Sequence, residues 1–519
     1  MHRTISFAAR AAPPTSLRLL RPYASPATVY RSFSSATSKP KASRLPFKSI
    51  AASVALTSSF YLYSRSIAEA EAIHNYNTNP SMTTVAELQD IDNRIAVQAK
   101  TTEELALALF VYRLCAFPWL VNAAPHLIAA AERLHLQAPI YWFIKQTFFR
   151  HFCGGETSEE CISSMDKLAQ SGINCILDLS VLPPAESQEQ EQKRQSIIDH
   201  LKREKGTLDL LEFRKLFNLQ GPGRDIWWKT SQMNSKSVML TSEDLEAYDR
   251  MIQRVDEACS LAHQLKVGVM VDAEQSYFQN IIDHVAVNLQ SKYNRRIENQ
   301  HSGPTVYNTY QMYTKSARGR LELDVELSKR ENFVFAAKLV RGAYMVSERK
   351  RALDMNYPSP IHDTLEDTHD SYNGGVKYLV NKLREHQEST GEALTVSNSP
   401  IVFMVASHNR DSVILTIEEM EKNHISPHSG VVLFGQLFSM QDQISYTLAR
   451  HGYAAYKYLP YGMIDEVIPY LLRRAQENSS ILGGPGVAHE RQLMWDELKS
   501  RITGKATKPD VSVNTTTSA

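Results

Sequence analysis

Eight short apolar runs, each of strand length and each followed by a longer amphipathic stretch, constrain this chain most. They are INCILDLS (173–180), DIWWKTS (225–231), KVGVMVDAE (266–274), TVYNTYQ (305–311), FVFAAKLVRG (333–342), IVFMVAS (401–407), VVLFGQL (431–437) and YAAYKYLP (453–460). Such alternation is the sequence form of repeated βα units, in which helices cover a parallel sheet. Eight is the number a closed barrel needs, so the expected fold is α/β, a (β/α)8 TIM-like barrel. An open doubly wound sheet is the competing arrangement. However, neither a GxGxxG fingerprint nor a P-loop follows any of the runs, so the usual nucleotide-sheet signatures are missing. Nearly every run ends in polar residues, where barrel enzymes place ligand groups, at the C-terminal rim.

Ahead of the barrel, residues 84–170 are patterned as helix, with apolar residues at three- and four-residue spacing in ELALALFVYRLCAFPWLVNAAPHLIAAAERL. This predicts a helical N-terminal arm over 69–170 and a barrel over 171–502. The charged stretch ESQEQEQKRQ within 183–224 reads as a solvated insertion or surface helix. Residues 503–519, rich in Lys, Thr and Ser, read as a disordered tail.

The net charge of +1 hides an asymmetry: residues 1–68 hold ten Lys/Arg and no acid, leaving 47 basic against 56 acidic residues, net −9, over 69–519. An acid-free opening containing Arg3, Arg10, Arg18, Arg21 and Arg31 has the composition of a mitochondrial transit peptide. A disordered basic arm is the simpler alternative. Residues 49–64, SIAASVALTSSFYLYS, are mildly apolar but fall short of the roughly 20 residues that span a bilayer, which leaves a weak inner-membrane anchor open. Five cysteines without a CxxC pair suit a reducing compartment and give no structural zinc site, and no metal site is expected elsewhere. The acidic body has no basic stripe, which argues against nucleic acid as a ligand.

The most informative stretch for chemistry is YKYLPYGMIDEVIPYLLRRAQEN, residues 456–478, a strand end followed by a helix. Tyr470, Arg473, Arg474 and Glu477 fall at helical spacing, so Tyr470 and Glu477 share a face with one or both arginines. Adjacent guanidinium groups repel unless an anion lies between them. An Arg pair at a barrel rim can therefore clamp a substrate carboxylate, each charge-assisted bond contributing about 1.5–3 kcal/mol. A surface helix carrying an Arg–Glu ion pair is the competing reading.

This segment resembles the closing helix of proline dehydrogenases of the mitochondrial eukaryotic type, and five further blocks agree in order: KVGVMVDAEQSYFQ, YNTYQMY, KLVRGAYMVSE, ASHN and FGQLFSM, with YKYLPYG opening the segment itself. Together they span roughly 173–482. The resemblance implies that Arg473 and Arg474 bind the carboxylate of L-proline, with Lys229 as a third cation. It makes Asp272 an active-site aspartate that gates the site by pairing with an arginine; a carboxylate there could also cap the next helix. It places Tyr344, Leu437, Tyr458 and Tyr470 in the walls of the substrate pocket, although tyrosines on strands are generically core. Tyr458 stands where a hydroxyproline-preferring relative is expected to carry a smaller residue, because the ring would clash with the extra hydroxyl.

FAD is the cofactor the resemblance implies, with contacts from Ala273, Gln311, Lys338, Val340, Arg341, Gly342, Ala343, Thr368, Ser407, His408 and Glu477. Glycine lets backbone approach the isoalloxazine closely, and Lys or Arg can meet its N1/O2 charge or the pyrophosphate. Asp272, Lys338, Arg473 and Arg474 are the expected catalytic set. Lys338 stands where bacterial members have Arg, losing the planar fork, and Ser407 where many have Thr. The implied reaction is hydride loss from the ring carbon next to nitrogen, giving 1-pyrroline-5-carboxylate, with a membrane quinone as the next electron acceptor. The alternatives are hydroxyproline dehydrogenase or another flavin barrel, and a membrane-associated binding protein that has lost turnover.

Overall fold

The computed structural model describes residues 4–7, 83–179, 242–295, 303–481 and 485–503. Its strands are β1 (Thr4–Phe7), β2 (Asn174–Leu179), β3 (Gly268–Val271), β4 (Val306–Gln311), β5 (Phe335–Val340), β6 (Ile401–Ala406), β7 (Val432–Leu437) and β8 (Ala454–Tyr461). Seven of these fall within the apolar runs read from the sequence, to within a few residues at each end. The run 225–231, with Lys229, lies outside the described residues, as do the charged insertion and 504–519.

Strands β2 to β8 form one curled parallel sheet in the order β2-β8-β7-β6-β5-β4-β3, with Leu437 opposite Tyr458 and Gln311 opposite Val340. Between the two outer strands lies β1, parallel to both, with Thr4 beside Ile176 on one side and Gly268 on the other. The chain order had reserved that place for 225–231. Thr4, Ile5 and Phe7, β-branched or aromatic, are residue types that suit a strand.

The sheet is buried on both faces, and every residue of β4 is buried, which explains why the runs are continuous rather than alternating. Inward side chains Ile176, Met270, Tyr307, Ala336, Met404, Leu433 and Tyr456 make one packed cluster, filling the sheet's concave side. Outward ones such as Phe335, Ala337, Leu339 and Phe403 pack with Tyr372, Val376, Leu379 and Leu383 of the helix Leu365–Thr390. Each such side chain contributes about 1.5–3 kcal/mol by leaving water. The alternation along β5 decides function: Lys338 follows Ala336 on the inward row, and Tyr458 of β8 follows Tyr456 in the same way.

Before the sheet, the helical pattern is realised as Thr84–Gln89, Ile95–Ala99, Thr102–Cys115, Pro118–Arg133, Gln137–Ile144 and Ser158–Gln170. Thr101 and Glu104 form a reciprocal capping box at the start of Thr102–Cys115, with bonds of 3.2 and 2.7 Å. Leu105, Ala108, Val111 and Cys115 of that helix pack with Val467, Leu471, Leu493 and Met494 of the helices Ile464–Ile481 and Pro485–Ile502. A buried ion cluster strengthens the join: Asp442 accepts from Lys100 and Lys457, each at 2.7 Å. Burial pushes the Asp442 carboxyl up, but the two ammonium groups more than offset it and hold it well below the usual range. Lys457 also donates to the carbonyls of Leu437 and Met440, at 3.2 and 2.6 Å, fixing the turn after β7.

Candidate active site

The described candidate residues gather where the strands end or on the helix that follows β8, except Thr368, which lies in the first turn of Leu365–Thr390. Asp272, Ala273 and Glu274 follow β3; Gln311 ends β4; Lys338 and Val340 lie on β5, and Arg341 to Tyr344 follow it. Ser407 and His408 follow β6, Leu437 ends β7, and Tyr458 lies on β8. Tyr470, Arg473, Arg474 and Glu477 ride on Ile464–Ile481.

At the centre, the ammonium of Lys338 closes an ion pair with Asp272, whose other oxygen accepts from the Tyr458 hydroxyl at 3.1 Å. Lys338 also lies over the Tyr458 ring, 5.6 Å from its centroid. Among the described residues Asp272 pairs with a lysine two strands away. It does not cap the next helix, because Ser276–Tyr293 starts after Gln275 without a side-chain cap.

The two arginines part company. Arg474 is buried, lies 5.2 Å over the Tyr470 ring and donates to Glu477, whereas Arg473 is exposed. The Arg–Glu pair foreseen as a surface feature is thus partly buried, and burial raises the Glu477 carboxyl although both arginines oppose the shift. Arg473 lies close enough for its charge to act on Tyr344 as well as on Glu477. Three buried polar atoms here lack a partner among the described residues: Arg474 Nε, Tyr470 Oη and Arg341 Nε. Unpaired buried donors are costly, about 1–3 kcal/mol each, so a site that retains several is shaped for an anionic or polar ligand.

The remaining contacts suit a flavin. Gly342 has φ +78°, and a Cβ there would meet no described atom within 4 Å, leaving open space over this backbone. His408 accepts the Leu437 N–H at Nε2 (3.0 Å), so its neutral ring carries the proton at Nδ1, free to donate. Burial, with the charges of Lys457 and Arg474, lowers its pKa to about 3 and keeps it neutral. Gln311 donates to the Glu274 carbonyl at 2.6 Å and to the Tyr313 hydroxyl at 2.9 Å. Arg341 is held by His369 at 2.6 Å, by the Ser412 hydroxyl and by the Tyr372 ring 4.1 Å away. Ser407 Oγ accepts from Asn409 N–H at 3.0 Å, and buried Thr368 donates to Thr364 at 3.4 Å, so both serve first to set local turns.

Sequence reasoning missed Glu274, which hydrogen-bonds Tyr344 and raises its hydroxyl pKa together with burial. Its signal was the two-residue step from Asp272, which returns a side chain to the same side of an extended segment. It also missed His369, Ser412 and Tyr372, the braces of Arg341, because they lie 28 to 71 residues further along the chain, on two successive helices.

The sequence profile described as proline dehydrogenase matches residues 161–484. Proline dehydrogenase 1, mitochondrial, of Dictyostelium discoideum is 31% identical over 449 residues, covering 80% of this chain and 75% of that protein. The human protein of the same name is 40% identical over 305 residues, 57% of this chain and 47% of that protein. A hydroxyproline dehydrogenase of Xenopus laevis is 31% identical over 429 residues, 78% of this chain and 88% of that protein. In fold, the chain is similar to proline utilization A from Bdellovibrio bacteriovorus, inactivated by N-propargylglycine, with TM-score 0.51 and 17% identity over 82% of this chain and 43% of that one. The chain thus spans about half the length of the human and bacterial proteins. The match across most of the sheet and its closing helix shows that the chain belongs to the proline dehydrogenase family of oxidoreductases.

Proposed function

We propose that this chain oxidises L-proline to 1-pyrroline-5-carboxylate with FAD, on the matrix side of the inner mitochondrial membrane, and passes the electrons to a membrane quinone. The observation that carries the reading is the unpartnered Arg474 Nε beside the unpartnered Tyr470 Oη, with Arg473 one residue away, at a rim that also holds the Lys338–Asp272 pair. These groups fit a small carboxylate and a flavin together. The mitochondrial names of the relatives and the acid-free opening support the address.

Arg473 and Arg474 hold the carboxylate, joined by Lys229 if 225–231 is the second strand of an eight-stranded (β/α)8 barrel. The β1 position is the one that chain order gives to 225–231, which supports that arrangement once 1–68 has been removed as a presequence. The helices of 69–170 then form the N-terminal arm, 171–502 the barrel and 503–519 the tail. Tyr344, Leu437 and Tyr458 wall the ring of the substrate and exclude water. Gln311, Lys338, Arg341, Gly342, His408 and Glu477, with Ala273, Val340, Ala343, Thr368 and Ser407, would hold FAD. When bound, FAD supplies the acceptor for the hydride leaving the carbon next to nitrogen. The protein's share is orientation, since fixing the carboxylate and the ring aligns that carbon without a nucleophile or metal. Tyr458, anchored by Asp272, favours proline over its hydroxylated analogue.

Mixing the purified chain anaerobically with L-proline tests this directly. Bleaching of the visible flavin band by proline, and little by hydroxyproline, is the expected result. A colourless protein that does not take up FAD would end the proposal.

A further inference from the structure

The stretch from Pro118 to Ile144 carries only Glu132 and Arg133 as charged residues, yet much of it faces outward. The helix Pro118–Arg133 is apolar on two sides. On one it buries Val121, which packs with Val467, Tyr470 and Leu471. On the other, Trp119, Ala123, Leu127 and Ala130, continued by Leu134, recur at steps of three or four residues, and Trp119, Leu127 and Leu134 are 68%, 51% and 67% exposed. The next helix, Gln137–Ile144, reads QAPIYWFI and has no buried residue, with Trp142 64% exposed. It is tied back to its neighbour by Tyr141 donating to Glu132 at 2.7 Å. A helix apolar all round belongs in a protein core or in lipid, and an exposed patch of this composition marks an interaction surface.

We propose that these two helices form a membrane-docking face, seated in the headgroup boundary of an anionic bilayer. The charges lean towards such a surface: with Lys145 paired to Glu156, residues 113–144 carry Arg113 and Arg133 against Glu132 alone, net +1, although 69–519 as a whole is net −9. Trp119 and Trp142 are the amphipathic rings favoured at headgroup depth. The geometry is that of lying on a membrane rather than crossing it. No single helix among the described residues is long and apolar enough to span, and Thr102–Cys115, which could pair with Pro118–Arg133 only across an 89° bend, buries Leu105, Ala108, Val111 and Cys115 in the core. The docking helix packs on Ile464–Ile481, which carries Tyr470 and the arginines, so the bilayer would lie beside the active site. The link to a quinone rests on the function proposed above; lipid binding itself does not.

The test is flotation of the full chain with phosphatidylcholine vesicles containing an anionic lipid, compared with Trp119→Glu/Leu127→Glu/Trp142→Glu. The expected result is at least a tenfold loss of bound protein in the variant, with proline-dependent dye reduction retained. Unchanged flotation would place membrane contact elsewhere, in 49–64 for example, and overturn the proposal, as would wild-type chain that does not float. Concentration-dependent self-association that the variant abolishes, without lipid binding, would give the face to a second copy and also overturn it. If the triple variant fails to fold, tryptophan emission decides by comparing the wild type with Trp119→Phe/Trp142→Phe: a blue shift with shielding from an aqueous quencher on adding vesicles that the double variant loses supports the face, and a shift that is absent or unchanged in the variant rejects it. Apart from the dye-reduction control, these readings do not depend on flavin or turnover, so they stand or fall apart from the proposed reaction.

Discussion

Lys338, on the inward row of β5, spans the mouth of the sheet to ion-pair with Asp272 at the end of β3, and Tyr458 of β8 bonds the same carboxylate. Three strands are thereby joined at one carboxylate. Lys338 is nearly buried, its side chain only 8% exposed, so removing its charge breaks its ion pair with Asp272 in a confined site. Breaking such a pair from one side costs about 3–5 kcal/mol when fully buried, and less here because Asp272 is partly open. Lys338→Met should lower both the unfolding midpoint and the flavin content, read as the ratio of visible to ultraviolet absorbance. Lys338→Arg should keep most of both, since it keeps the charge.

The division of labour between the arginines gives a second prediction. Neutralising either Arg473 or Arg474, as Arg473→Gln or Arg474→Gln, should weaken kcat/KM for proline by about 2–5 kcal/mol while flavin stays bound. Arg474→Gln should in addition lower the melting temperature, because it removes a buried guanidinium that pairs with Glu477 and packs on the Tyr470 ring, whereas replacing exposed Arg473 should not. Steady-state kinetics that leave KM unchanged in both variants would remove the carboxylate clamp.

Tyr458 makes specificity testable. Its ring lies against Lys338 and its hydroxyl on Asp272, so the wall is pinned rather than mobile. Tyr458→Ser should enlarge the pocket and shift the ratio of kcat/KM for hydroxyproline over proline upward by about 1–3 kcal/mol, a factor of roughly ten to a hundred. Competition assays with both substrates in one mixture measure the ratio, and no change would take Tyr458 out of the specificity wall.

What the sequence disclosed and withheld follows from the range of each interaction. Strand positions were legible because doubly buried parallel strands write continuous apolar runs, and the site was legible as motifs at the ends of those runs. The Lys338–Asp272 pair was not, because it joins residues 66 apart whose meeting depends on strand order. The burial of Arg474 but not Arg473 was equally hidden: their adjacency is plain in the chain, but which side of the helix meets the sheet is set by Val467, Tyr470 and Leu471 packing on Thr102–Cys115. Lys457 looked like one more polar residue in YKYLPYG, and its buried partner Asp442, which it shares with Lys100, lies at the start of another helix.

Two buried histidines give the chain a defined acid sensitivity. His151 and His408 both have pKa values lowered to about 3, in each case chiefly by burial, with nearby lysine opposing their charging. In the unfolded chain each would titrate near 6.5. Below that pH the unfolded state binds protons that the folded state refuses, so stability falls as pH falls, and above it their contribution is flat. Each histidine adds a slope of up to about 1.4 kcal/mol per pH unit between roughly pH 6.5 and the folded value. Carboxylates begin to titrate lower down, and buried Glu477 works in the opposite sense there, so the clean window is about pH 6.5 to 5.5. Urea midpoints across that window should fall in the wild type. His408→Gln, which offers an amide oxygen to the Leu437 N–H without a titrating ring, should reduce the slope by up to about 1.4 kcal/mol per pH unit, leaving the shares of His151 and of His362, which burial also lowers. Equal slopes in the two proteins would mean that His408 is charged in the folded state, and would withdraw it as a neutral Nδ1–H donor in the site.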